Sequence, residues 1–483
     1  MRFIATFKVL GILLIIFSFS MLPPVLVDTI YQDGATFPFV TSFVLTLMVG
    51  ILLWAFCRRP AQELKTRDGF LVVVLFWTVL SVFGAIPFMM DPIHPLTFTD
   101  SLFETVSGLT TTGASVLSNL DKLPRAVIYY RQQLHFWGGM GVVVLAVAIL
   151  PMLGVGGMQL ARAEVVGPVK DAKLKPRMRE TARLLWSLYL GIMVLCTTAY
   201  WIAGLSFFDA LCESFSTIST GGFSIHDNSL AYHENVAVNI ITIVFMLIGA
   251  INFSLHFKFL QEKKLTIYFK DVEFKGYLFF LLGSTLIVCI TLLLYNYYED
   301  TSITFLDALF TVVSLSTTTG LTVTDFSQWP TFLPYFIMII AMIGGCSGST
   351  SGGIKVIRCL LLRAQGVREL RQLIHPKAVF PVKLGSRVLS EDVAKAIWGF
   401  IAIFTLLFVF LLLVLLATGL DFSTAFGALA ACISNAGASI GGVANNFENI
   451  NWASKWVLIF SMLTGRLEIF TILVLFMPSF WRR

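Results

Sequence analysis

Long apolar runs separated by short polar stretches dominate this chain. Runs near 9–30, 37–56, 70–90, 134–153, 184–204, 236–257, 277–297, 333–362, 397–418 and 456–480 reach or approach the roughly 20 residues that a helix needs to cross a bilayer. The pattern predicts an all-α polytopic membrane protein. The first run follows Arg2 and Lys8, as a signal peptide would. It lacks a small-x-small cleavage site, Pro23 and Pro24 stand where one is expected, and a second run follows closely, so it reads as a membrane helix.

Composition agrees. Hydrophobic residues make up 57% of the 483 and charged ones 13%, with a mean hydropathy of +0.84. A soluble domain carries about 45–50% apolar and about 25% charged residues. The excess has no room inside a water-facing globule, and a bilayer must solvate it. Seven cysteines, none in a CxxC pair, read as small buried hydrophobes. Six histidines show no HExxH spacing. With no metal cluster, nucleophile–base pair or lipid-chemistry motif, the chain is not expected to be an enzyme or to hold an organic cofactor. GVGG at 154–157 ends a membrane run with no strand before it, so it is not read as a dinucleotide fingerprint.

Charge supplies the orientation. Basic residues gather in 58–69, in 161–183, among the five lysines of 258–275, and among the nine Lys or Arg of 355–395. The chain ends Arg482, Arg483. The alternate loops hold Lys122, Arg125, Arg131 and Lys455, and carry acids such as Asp100, Glu104, Asp209, Glu213, Asp307, Asp325 and Glu448. Positive loops stay in the cytoplasm, so both termini are expected inside. Insertion topology alone produces this alternation, and nucleic acid is not expected as a partner.

Self-comparison finds four gapless copies of one segment: DSLFETVSGLTTTGAS from Asp100, DALCESFSTISTGGFS from Asp209, DALFTVVSLSTTTGLT from Asp307 and TAFGALAACISNAGAS from Thr424. Each has a glycine thirteen residues on: Gly113, Gly222, Gly320 and Gly437. Ser or Thr stands two places after each, at Ser115, Ser224, Thr322 and Ser439. Each copy lies between two apolar runs on the outer side. The division expected is a two-helix extension (1–69) and four helix–pore loop–helix units: 70–160, 161–262, 263–375 and 376–483.

In each copy, Asp or Thr is a good helix cap, and the next ten residues are too few to span a bilayer and too apolar for a free loop. A short re-entrant helix fits. Its end is Ser/Thr-rich and closes on glycine, which accepts φ > 0. Non-helical backbone survives at membrane depth only where protein covers it or it lines water. Four such stretches meeting on an axis would present rings of carbonyls, which replace a hydration shell in potassium filters. The candidate ligands are backbone carbonyls of Thr110, Thr111, Thr112 and Gly113; Ser219, Thr220, Gly221 and Gly222; Thr317, Thr318, Thr319 and Gly320; and Ser434, Asn435, Ala436 and Gly437. Helix C-termini aimed at the axis favour a cation, and acidic outer loops would concentrate it.

On these four segments the chain resembles the TrkH family of bacterial potassium-uptake membrane subunits, within a superfamily that includes KtrB and the plant HKT transporters. The resemblance covers essentially the whole chain, including the extra N-terminal helix pair. It implies a pseudo-fourfold pore with K+ as the transported ion, the bacterial inner membrane, a homodimer, and a TrkA-like cytosolic nucleotide-binding ring as regulator. In HKT relatives a serine at the first filter glycine goes with sodium preference; Gly113 here implies potassium. The segments are degenerate beside the TVGYG pattern of channels.

Two interior features stand apart. The run 344–353 holds Gly344, Gly345, Cys346, Ser347, Gly348, Ser349, Thr350, Ser351, Gly352 and Gly353, with Lys355 close behind. Five glycines cannot hold a stable helix, at about 1 kcal/mol each. A phosphate loop needs Ser or Thr after GK, and the sequence lacks it. A close-packing glycine seam and a broken helix across the pore beneath the filter both fit, and the resemblance implies the second, acting as a gate. Other second helices carry only isolated glycines, such as Gly138, Gly139, Gly249 and Gly465. Arg466 lies within the last apolar run, with Glu468 two residues on. It is either a structural bond to Glu468 or a carbonyl, or a charge in the cavity below the filter that speeds cation exit; the resemblance implies the latter. Four units in one orientation favour a pore over the inverted repeats common in coupled symporters, but sodium- or proton-coupled symport is the alternative.

Overall fold

The computed structural model describes residues 3–56, 66–91, 95–144, 178–385, 387–388 and 391–482. Cys57, most of the basic loop 58–69, the motif at 154–157, and the basic loop 161–183 up to residue 177 lie outside the described residues.

Among the described residues, six helices are long and apolar enough to cross a membrane, and eight if each of two bent pairs counts as one span. They account for eight of the ten runs read from the sequence. The run 134–153 extends a helix over Arg125–Val144 and then leaves the described residues. The run 333–362 is interrupted, with helices at Leu333–Ile343 and Val356–Ile374. A two-residue antiparallel ladder pairs Lys383–Leu384 with Arg387–Val388. At the N-terminus, the span Thr6–Tyr31 crosses Thr36–Phe56 closely because both carry glycine at the crossing. A Cβ on Gly11 would stand 2.9 Å from Gly50 O, inside contact distance.

Each of the four repeated segments forms a short helix: Phe98–Leu109, Phe207–Ser219, Thr301–Ser316 and Phe422–Ser434. Their caps correct the sequence reading. Asp100 and Asp209 are not the caps; they sit in the first turn, and Thr97 and Ser206, three residues earlier, accept their backbone N–H groups. The third and fourth helices are capped by Asp300 and Asp421. Capping bonds from Ser302 and Thr424 hold those two outer carboxyls below the usual aspartate range.

The second helices are less regular than isolated glycines suggested. Val236–Ala250 turns by 97° into Phe253–Glu262, and Trp452–Arg466 turns by 116° into Phe470–Phe476. The isolated glycines have a packing reason. A Cβ on Gly138, Gly249 or Gly465 would press on the carbonyl of Leu109, Ile218 or Ile433, each four residues before the turn glycine of its own unit. Absent side chains let these three second helices lie directly against the C-terminal ends of their short helices.

Candidate ion-binding site

The four turns that follow the short helices converge. In every copy the residue two before the glycine is left-handed: Thr111, Thr220, Thr318 and Asn435 have φ between 50 and 55°. Gly113, Gly222, Gly320 and Gly437 are also at positive φ, from 69 to 91°. Left-handed residues at alternate positions break the strand rule by which successive carbonyls face opposite ways.

The glycines serve a second purpose. A Cβ on Gly113 would collide with Gly221 O, one on Gly222 with Thr319 O, one on Gly320 with Ala436 O, and one on Gly437 with Thr112 O. Copy one abuts two, two abuts three, three abuts four, and four returns to one. The ring is closed, and at each step a glycine lies against the carbonyl of the residue before the next glycine. All four glycines line one cavity of about 150 Å³, which also touches Ser115, Ser224, Thr322 and Asp227.

Several side chains around these turns bond to protein partners. Thr110 Oγ1 lies 2.7 Å from Thr112 Oγ1, Thr317 Oγ1 lies 2.7 Å from Thr319 Oγ1, and Asn435 Nδ2 donates to Thr112 Oγ1 and Met462 O, at 3.0 Å each. Among the described residues, the carbonyls of Thr111, Thr112, Thr220, Gly221, Thr318, Thr319 and Asn435 accept no hydrogen bond. Ala436 O takes one, from Ala438 N at 2.8 Å. Well over nine in ten buried backbone groups are paired in folded proteins, so a convergent set of unpaired carbonyls is a site for something electropositive. No group of three or more His, Cys, Asp or Glu that could hold a metal ion occurs among the described residues.

A polar brace stands behind the first two turns, and the sequence reading missed it. By sequence Glu104 and Glu213 belong with the acids of the outer loops and Arg131 with the outer basic residues; in the structure all three are buried. Glu104 accepts from Arg131 Nε at 2.7 Å, Ser115 Oγ at 3.1 Å and Val116 N at 3.0 Å. Arg131 also donates to Ser115 Oγ and Ser224 O, and lies 4.3 Å over the ring of Phe223. Gln132 Nε2 donates to Phe223 O at 2.9 Å, and His135 stacks on the same ring. Glu213 accepts from Ser224 Oγ at 2.7 Å and Ile225 N at 3.1 Å. The third copy uses a hydroxyl instead, Ser314 Oγ donating to Leu321 O at 2.6 Å. A signal was available: both acids stand four residues after the aspartate of their copy, whereas the others have Thr311 and Ala428 there. Lys455 is likewise buried, donating to Asp100 Oδ1 at 2.6 Å.

Residues 344–355 lie beneath three of the four turns. Thr350 Oγ1 is 3.1 Å from Ile218 O and 3.0 Å from Gly249 O, in the second unit. Gly352 N donates to Thr318 Oγ1 at 2.6 Å in the third, and a Cβ on Gly352 would strike Ser434 O in the fourth. The segment is held from its sides by Cys346 N to Ala250 O at 2.9 Å and Ser347 N to Glu273 Oε1 at 2.6 Å. Gly345 N donates to Ser351 Oγ, and Gly344, Gly348, Gly353 and Lys355 take positive φ. Ser349 Oγ donates to Cys346 O at 2.5 Å.

Three cations meet this segment. Arg466 Nη1 donates to Thr350 O at 2.8 Å, and Lys355 Nζ donates to Ser351 O. Glu468 does not pair with Arg466; it bonds Arg358 at 3.1 Å. Lys355, Arg358 and Arg466 border a cavity of about 50 Å³ with Ser351, Gly352 and Gly465.

Comparison with known proteins places these features in a family. A model of the TrkH family, described as a cation transport protein, matches residues 35–483. The chain is 50% identical to the Trk system potassium uptake protein TrkH of Vibrio parahaemolyticus and 49% identical to that of Escherichia coli K12, each covering 100% of both chains. It is 40% identical to TrkG of Escherichia coli K12, over 98% of this chain and 97% of that one. The crystal structure of the potassium transporter TrkH from Vibrio parahaemolyticus superposes with a TM-score of 0.93 over 100% of both chains, at 48% identity.

Proposed function

The chain belongs to the TrkH family of cation transport proteins, and on that premise we propose that it takes up potassium through a pore whose filter is the ring of four glycine turns. It is a multi-pass membrane protein and, like its family, a transporter and not an enzyme. The observation that carries the filter reading is the closed ring of buried, unpartnered carbonyls at positions 111–112, 220–221, 318–319 and 435. A carbonyl ring costs a monovalent cation little on shedding its water, and the C-terminal ends of four helices add negative potential. The fixed brace behind the first two turns keeps that ring from relaxing around other ions.

In this reading, 344–355 is the gate. It hangs from Ile218, Gly249, Thr318 and Glu273 below the filter, and Arg466 pins its middle. The units divide as 70–160, 161–262, 263–375 and 376–483 after an extension over 1–69. The gate side faces the cytoplasm of a bacterial inner membrane, a reading that the basic stretches 258–275 and 355–395 support. Regulation comes from a cytosolic nucleotide-binding ring, and the membrane unit is a homodimer. Rubidium and sodium flux into proteoliposomes tests the proposal: rubidium entry well above sodium entry is expected, and equal entry of the two would refute the selective filter.

A further inference from the structure

A second site lies on the outer wall, and none of its lining residues belongs to the filter turns. Helix Met178–Ile202, the bent pair Val236–Ala250 and Phe253–Glu262, and the segment 265–274 enclose an apolar groove of about 920 Å³. That volume is at the upper end of the roughly 300–1,000 Å³ of small-molecule sites. The two titratable side chains in its wall are turned onto protein partners. His256 Nδ1 bonds Tyr268 Oη at 2.8 Å, and His256 Nε2 bonds Ile248 O at 2.9 Å. The Ser187 hydroxyl in its wall donates to Arg183 O, and the rest is hydrocarbon, with Leu195, Leu260, Leu265 and Phe269 more than half exposed.

The 97° turn decides how the groove sits. If Val236–Ala250 runs through the bilayer, Phe253–Glu262 runs along its surface, in the manner of an interfacial helix. The groove body is then at acyl depth and its end at headgroup level. Three exposed lysines stand at that end: Lys263 and Lys264 directly before the groove residue Leu265, and Lys270 directly after Phe269. The nearby acid Glu262 is paired with Lys258. We propose that this groove binds one phospholipid with an anionic headgroup, an acyl chain in the apolar cleft and the phosphate at Lys263 and Lys264. A hydrocarbon cleft ending in cations is complementary to both parts of such a lipid, and basic pockets at the membrane surface favour anionic headgroups.

Gly191 offers a clean test. It lines the groove, and a side chain added there meets no atom within 4 Å, so Gly191→Trp should fill the site without disturbing the fold. Gly283, on Val272–Leu294, also has open space and does not line the groove, so Gly283→Trp is the matched control. The full chain is reconstituted into nanodiscs of equal phosphatidylglycerol and phosphatidylcholine, released into detergent, and weighed by native mass spectrometry. Wild type and Gly283→Trp should each retain about one phosphatidylglycerol per chain. Gly191→Trp should lose it at least five-fold, and Lys263→Gln with Lys264→Gln should abolish the preference over phosphatidylcholine. A benzophenone amino acid at position 191 should give a phospholipid adduct. Retention by Gly191→Trp equal to wild type, no headgroup preference in wild type, or an adduct to a second copy of the chain would each overturn the proposal.

Discussion

Arg466, at the end of the fourth unit's second helix, donates a 2.8 Å hydrogen bond to the backbone carbonyl of Thr350, the middle of the intramembrane segment. Its Nε and Nη2 have no partner among the described residues, although the side chain is buried. A buried guanidinium with spare donors is costly unless it does something. Of the roles read from the sequence, the structure shows the carbonyl bond, and Arg466 also borders the small cavity it shares with Ser351, Gly352 and Gly465. Arg466→Ala should free the segment and remove a charge that repels cations. Rubidium flux in proteoliposomes is expected to rise several-fold, with an unchanged elution profile on size exclusion. Flux equal to wild type would remove the role.

The Glu104–Arg131 pair predicts a stability asymmetry. Breaking a fully buried ion pair by deleting one charge costs about 3–5 kcal/mol. Glu104→Gln should therefore lower the melting temperature of the detergent-solubilised protein strongly. Among the described residues Glu213 makes no ion pair, and a glutamine oxygen can still accept from Ser224 Oγ and Ile225 N, so Glu213→Gln should be much milder. Adding Arg131→Met to Glu104→Gln should recover part of the loss, since the stranded charge goes with it. Equal shifts for the two single variants would mean that the pair is not what holds the first turn.

The architecture was legible because membrane physics writes it into the sequence. Apolar length marks spans, and four copies with glycine at one offset mark the convergent turns. The glycines themselves were read only in part. Positive φ explains each one locally, but the collision of a Cβ with the neighbouring turn's carbonyl depends on copies about a hundred residues apart. The brace was lost for a related reason. Glu104, Glu213 and Arg131 sit in segments whose topology says outer loop, and only the fold shows that each points inward to partners 11 to 93 positions away. The bend at 251–252 had no marker beyond Asn252, which caps the helix that follows by accepting from Ser254 N.

Gly113→Ser tests the ring directly. The glycine is at φ 82°, where an L side chain is strained, and any Cβ would meet Gly221 O. The turn must shift to admit the serine, and the carbonyl ring opens between copies one and two. Expected is a fall in rubidium flux with sodium flux kept or raised, so that the flux ratio drops at least ten-fold. Gly283→Ala, in open space, should leave the ratio alone. A ratio unchanged in Gly113→Ser would place ion selection elsewhere in the chain.

A carboxylate also holds the intramembrane segment in place. Glu273 is buried at the start of Val272–Leu294, and its Oε1 accepts the 2.6 Å bond from Ser347 N. This contact ties helix Val272–Leu294 to the segment at Ser347, three residues before the Thr350 carbonyl that Arg466 holds. Two roles can be separated by substitution. If the bond itself holds the segment, Glu273→Gln keeps an acceptor oxygen in place and should leave rubidium flux near the wild-type level. Glu273→Ala removes the acceptor of the Ser347 N–H bond, a loss of about 1–3 kcal/mol that falls on the closed arrangement. That penalty should shift the segment toward release, raising flux by roughly 5- to 100-fold if the open state satisfies the group with water. Flux through Glu273→Ala matching wild type would show that the segment stays closed without this tie. Gln and Ala variants raising flux equally would show that the carboxylate charge, and not the hydrogen bond, holds it.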